Sequence, residues 1–140
     1  MTEQCFVQKM QEEKDYFQRE IQRLAFLLKE LIGKALRLRS NNFEQGIQNI
    51  ESDLKNEFDL TLRELSEMKN SELTKKISGL NELHLEKLAG LITVVSGNSQ
   101  NVFGKRIAKK GILILEYLDN HTKTFSMKRM ELKNTLQQYL

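Results

Sequence analysis

Phe17-Gln18-Arg19-Glu20-Ile21-Gln22-Arg23-Leu24-Ala25-Phe26-Leu27-Leu28-Lys29-Glu30-Leu31-Ile32-Gly33-Lys34-Ala35-Leu36-Arg37-Leu38 is the stretch that decides the fold. Phe17, Ile21, Leu24, Leu28, Leu31, Ala35 and Leu38 recur at steps of 4, 3, 4, 3, 4 and 3. That is the spacing of one face of an α-helix under a heptad pattern. An apolar face of this length has to pack on something, so the seam predicts a helix with a partner surface. It does not name the partner. Toward the start of the chain the seam thins to Phe6 and Met10, followed by Glu12, Glu13 and Lys14. Helix 1 is expected from about Glu3 to Leu38, which at about 1.5 Å per residue reaches about 54 Å. A compact chain of this size has a diameter of roughly 37 Å. A straight helix 1 would therefore overhang its own body. The overhang calls for fraying, a bend at Gly33, or a second chain that covers it.

Beyond the seam the same periodicity continues. Ser40-Asn41-Asn42 forms a break, and Asn41 with Glu44 has the pattern of a capping box. Phe43, Ile47, Ile50, Leu54, Phe58, Leu62 and Leu65 then predict one second helix. Its steps are mostly 4, so its stripe drifts round the helix as suits a globular bundle. A short helix at about Glu72–Ile77 follows. Asn81 can cap a further helix bearing Leu85, Leu88, Ala89, Ile92 and Val95, which Ser96-Gly97-Asn98-Ser99 stops with Gly97 as a left-handed cap. A wide apolar stripe from Phe103 through Ile107, Ile112, Leu113, Ile114, Leu115 and Leu118 predicts a central helix over about Asn101–Asn120. Val94-Val95 and Ile112–Leu115 are also β-prone, but the helical length and flanking charges decide for helix. Ser126 opens the last helix. The chain contains no proline, which permits long helices.

The 140 residues suffice for one domain with a core of its own. The single cysteine, Cys5, has no partner for an internal disulfide. Residues 1–15 are polar, and the longest apolar run, Leu88–Val95, is far shorter than a membrane span. A cytoplasmic protein without a secretory signal or membrane contact is expected. Charge is uneven. Residues 1–70 carry 11 basic against 13 acidic side chains, net −2, and residues 71–140 carry 11 against 6, net +5.

The chemistry of catalysis is sparse. His84 and His121 are the only histidines, and no metal-ligand spacing surrounds them. His84, beside Glu82 and Glu86, reads as a wet surface residue, and His121 as a partner for a helix C-terminus. Cys5 has no recognisable base. Paired carboxylates such as Glu12/Glu13 and Asp53/Glu57 lie in polar stretches that would not shift a pKa. Gly97–Arg106 resembles a phosphate loop only faintly, because six residues separate its glycines and Arg106 stands where a Ser/Thr belongs. No enzyme activity, cofactor or metal is expected. Lys105, Arg106, Lys109 and Lys110 can share a helix face able to grip phosphates, though no aromatic residues interleave for base stacking.

Asp15-Tyr16-Phe17-Gln18-Arg19-Glu20-Ile21-Gln22-Arg23-Leu24 resembles the opening of a family of small, uncharacterised bacterial helical proteins. Asn41-Asn42-Phe43-Glu44-Gln45-Gly46-Ile47 resembles the turn and second-helix start of a tetratricopeptide repeat, with Gly46 at the small-residue position. Ala108–Leu118 with Thr124-Phe125-Ser126 resembles that family's C-terminal end. The resemblance covers about half the chain and implies tetratricopeptide-like helical hairpins without an activity. Helix 1 departs from a proper repeat in lacking its Trp, Leu-Gly and Tyr marks.

The expectation is a single all-α domain over 1–140, a bundle of five or six helices led by a long one. Its expected role is a non-enzymatic protein-interaction or scaffold module acting on a protein partner or as a homodimer. Phe17, Ile21, Leu24, Leu28 and Leu31 are the candidate contact residues, with ordinary core as the equally weighted reading. The alternative is nucleic-acid or polyanion binding through Lys105, Arg106, Lys109 and Lys110.

Overall fold

The seam from Phe17 to Ala35 lies on one continuous helix, α1 (Glu3–Leu36); Leu38, expected within it, falls just beyond its end. The computed structural model describes residues 3–99 and 101–140, with side-chain surroundings from Met10 onward; Cys5 and Phe6 lie outside those described side chains. Six further helices follow: α2 (Phe43–Phe58), α3 (Leu62–Glu67), α4 (Asn70–Ile77), α5 (Glu82–Asn98), α6 (Val102–Thr122) and α7 (Met127–Gln137). The fold is all-α, and the described residues contain no strand. The β-prone pairs of α5 and α6 are helical because both segments are enclosed by other helices, which overrides local propensity.

The expected second helix is in fact two. Its apolar stripe continues in space from Phe58 to Leu62, but the backbone turns between them. Asp59 takes a left-handed conformation (φ 55) and its N–H bonds the Lys55 carbonyl. Asp tolerates that region better than most residues. Leu60 is fully buried and anchors the corner. Thr61 then restarts the chain by accepting the Glu64 N–H on its hydroxyl. The caps of Asn81, Asn101 and Ser126 form through side-chain acceptance from Leu83, Gly104 and Arg129. The Asn41/Glu44 capping box does not form. Asn42 holds the cap position of α2, and its Oδ1 accepts the Arg39 N–H at 2.8 Å instead. Gly97 is helical rather than left-handed, and Ser99 caps α5.

α5 and α6 share the centre. α5 packs on α1, α6 and α7, while α6 also meets α3 and α4. Leu85, Leu88, Leu91, Ile92 and Val95 of α5 and Ile107, Ile114, Leu115 and Leu118 of α6 are almost fully enclosed. Two hydrogen bonds fix how α1 lies along α5. His84 Nε2 donates to the Ile21 carbonyl at 2.9 Å, and Asn98 Nδ2 donates to the Ala35 carbonyl at 3.2 Å. Both span 63 residues in sequence, so the two helices run parallel in constant register. His84 is therefore a buried joint, not the wet surface residue its acidic neighbours suggested. It is 6% exposed, with its ring edge-on to Phe58 at 5.6 Å. A carbonyl can only accept, which fixes the proton on Nε2.

α7 is held to α6 by a second buried polar joint. Arg129, 6% exposed, donates from Nε to Asp119 Oδ1 at 2.7 Å and from Nη2 to the Thr124 carbonyl at 2.7 Å. Lys133 Nζ reaches Asp119 Oδ2 at 3.4 Å. Burial pushes the Asp119 carboxyl up, but the hydrogen bonds from Arg129 and Lys133 outweigh it and hold the group below its ordinary value.

Candidate functional site

The register of α1 on α5 explains where the seam runs out of cover. With an offset of 63, Glu82 at the start of α5 lies level with Arg19. α2 ends at the same level, since Phe58, its last residue, packs on His84. Both neighbours of α1 thus stop beside Ile21, while α1 continues outward. Residues 10–19 alone project about 15 Å at the helical rise, and every one of them is exposed.

The five seam residues accordingly divide. Leu28 and Leu31 are 1% and 0% exposed and belong to the chain's own core. Ile21 and Leu24 are half-buried at the rim. Phe17 is 64% exposed, with Tyr16 beside it at 65%, their rings edge-to-face at 6.0 Å. At about 100° per residue, Met10, Phe17, Ile21, Leu24 and Leu28 stay within about 40° of one line. The uncovered face is thus the outward continuation of the core-facing one. Charged side chains mark the rim. Arg23 Nη2 bonds Glu20 at 2.6 Å and Glu57 at 2.9 Å, so it links α1 to α2 at the point of emergence. Hydrogen bonds from Arg23 hold the Glu20 and Glu57 carboxyls below their ordinary values, and those two carboxylates hold the guanidinium proton more firmly.

The basic face of α6 also divides. Lys105, Arg106 and Lys109 are exposed and have no carboxylate within ion-pair distance among the described residues. Lys110 is half-buried and structural. Its Nζ donates to the Met68 carbonyl, which ends α3, and to Asn70 Oδ1 at 3.0 Å. An open cleft of about 420 Å³ between α6 and the α3–α4 turn is lined by Ser66, Glu67, Asn70, Arg106 and Lys109. A smaller depression beside it adds Arg63, a cation that spacing along α6 had no means of revealing.

Compared with known proteins, the chain matches no family model, no curated protein and no solved structure. Its site is therefore read from its own geometry. Among the described residues, no three His, Cys, Asp or Glu side chains gather as metal ligands, and no helix is long and apolar enough to cross a membrane. His121 lies in the last turn of α6, stacked on Tyr117 at 5.4 Å and 3.5 Å from Glu82.

Proposed function

We propose that this chain is a non-enzymatic protein-interaction module of the cytoplasm, and that the projecting half of α1 is its contact surface. The observation that carries the reading is the exposure of Phe17 on the same helical line as buried Leu28 and Leu31. A lone exposed aromatic needs no explanation, but a core face that continues past the body into solvent does. The tetratricopeptide-like arrangement is part of the same reading. It is supported by consecutive helices packing on each other at α1/α2, α5/α6 and α6/α7.

The occupant we assign is a second copy of the chain. An antiparallel pair with its two-fold axis at Phe17 is isologous and closes on itself. It sets Met10 opposite Leu24, Asp15 opposite Arg19 and Lys14 opposite Glu20. Apolar side chains then meet at the centre, and opposite charges flank them. The test is the solution mass by size exclusion with light scattering, for the native chain and for Phe17→Glu. A native dimer that becomes a folded monomer in Phe17→Glu is the expected result. A native monomer at about 100 μM, or a dimer that Phe17→Glu leaves intact, overturns the assignment.

A second reading rests on the unpaired cations Lys105, Arg106 and Lys109, with Arg63 beside them. It is polyanion or nucleic-acid binding along this face. Such binding weakens steeply with salt, with a slope set by the number of phosphates contacted. Affinity for a labelled single-stranded RNA, measured across salt for the native chain and for Arg106→Gln/Lys109→Gln, tests it. Absence of binding at low salt disposes of it.

A further inference from the structure

The corner between α5 and α6 contains two buried hydroxyls without a hydrogen-bond partner among the described residues. Ser96 and Ser99 are 3% and 6% exposed, and among the described residues neither Oγ has a bonding partner. This is unusual within the molecule itself. The hydroxyls of Thr74, Thr93, Thr122 and Thr135 each donate to the carbonyl four residues back, and that of Ser66 to the carbonyl three back. Such back-bonding is open to any helical serine. Ser96, inside α5, forgoes it, and an unpaired buried polar group is costly to keep.

Both serines line a cleft of about 310 Å³ walled also by Gly97, Asn101, Lys105, Gln138, Tyr139 and Leu140. Its polar side chains other than the serines are Lys105, a donor only, the amides of Asn101 and Gln138, and the Tyr139 hydroxyl. Lys105 has no carboxylate partner among the described residues. Asn101 spends its Oδ1 on the Gly104 N–H at 3.1 Å, so its amide donors are what remain. Helix α6 has its N-cap, Asn101, at this wall. No acidic residue occurs in its first turn, and no Asp or Glu side chain lines the cleft. The Tyr139 hydroxyl closes the top over Gly97, where a Cβ would stand 2.8 Å from it.

We propose that this cleft is a binding site for a small phosphoryl-bearing anion. Two hydroxyls, the Lys105 ammonium and the side-chain amide of Asn101 supply more donors than the two oxygens of a carboxylate take up, and they suit the three terminal oxygens of a phosphomonoester. The site stands apart from the projecting half of α1; it shares Lys105 with the basic face of α6 but not Arg106, Lys109 or Arg63, so the Arg106→Gln/Lys109→Gln variant separates its fate from that of the second reading.

The test is titration of the full-length, isotope-labelled chain with inorganic phosphate and with phenyl phosphate, read by amide NMR, beside benzoate as the carboxylate control. Gly104 and Lys105 amides are expected to shift with phosphate and phenyl phosphate and much less with benzoate. Ser96→Ala/Ser99→Ala and Lys105→Gln are each expected to weaken binding about tenfold or more. Arg106→Gln/Lys109→Gln leaves it unchanged. The double serine variant also keeps or raises the melting temperature without ligand, because it removes hydroxyls that have no partner, and this reports that it folds. No saturable shift at Gly104 or Lys105 by about 20 mM phosphate overturns the proposal. So does equal loss of binding in Arg106→Gln/Lys109→Gln, or binding undiminished in the double serine variant.

Discussion

Replacing Leu31 and Phe17 by alanine, one at a time, tests where the body of the protein ends along a single helical face. Leu31 is fully enclosed in the cluster formed with α5. Its truncation removes the transfer energy of the lost carbons and leaves a cavity, about 3–5 kcal/mol together. With a urea slope of about 2 kcal/mol per M, the unfolding midpoint falls by about 2 M. Phe17 is 64% exposed and sits in a projecting helix where alanine has the better intrinsic propensity. Its truncation changes the folding stability of the single chain by less than about 0.5 kcal/mol. Urea titration followed by far-UV circular dichroism at low micromolar chain concentration measures both. If Phe17→Ala shifts the midpoint as Leu31→Ala does, the outer half of α1 packs on the body and the reading of the seam is wrong. If Leu31→Ala costs less than about 1 kcal/mol, the enclosure of the inner half is wrong instead.

Three other outcomes follow from the polar joints and the glycines. The Asp119 carboxyl is held below its ordinary value, so its stabilisation is present above the normal carboxylate range and is lost as pH falls through the lowered folded value; Asp119→Asn, costing about 1–2 kcal/mol near neutral pH, flattens the acid limb of a melting-temperature profile below about pH 4. Gly104→Ala is destabilising by about 2 kcal/mol, because its Cβ would lie 1.8 Å from the Ser99 carbonyl oxygen, whereas Gly33→Ala, with nothing within 4 Å, stabilises by about 0.5–1 kcal/mol; paired thermal melts read the opposite signs. Lys110→Met frees the Met68 carbonyl and lowers stability by about 1–2 kcal/mol, while Lys109→Gln leaves the melt unchanged.

Periodicity along the chain determined the helical class. The 4-3 seam of α1, the stripe of α6, the cap at Asn81 and the helix starts at Asn101 and Ser126 are local signals, set by residues within a turn or two of one another. They needed no knowledge of the rest of the molecule. The break at Asp59 was hidden because the apolar stripe of α2 passes into α3 without losing its spacing. Its cause is the burial of Leu60, a long-range fact. His84 was misread for the same reason. Its neighbours Glu82 and Glu86 look wet, yet His84 stands one turn before Leu88 on the face that meets α1, a spacing that in retrospect carried the signal. Arg129 has no such signal, since Asp119 lies ten residues away across a turn. The lack of a bonding partner at Ser96 and Ser99 is likewise invisible to any pattern of residue types. The sequence by itself determined that α1 has an apolar face. Only the tertiary structure decided how much of that face is core, because the ends of α5 and α2 set the limit of cover, and their common level beside Ile21 is fixed by packing between segments some 60 residues apart.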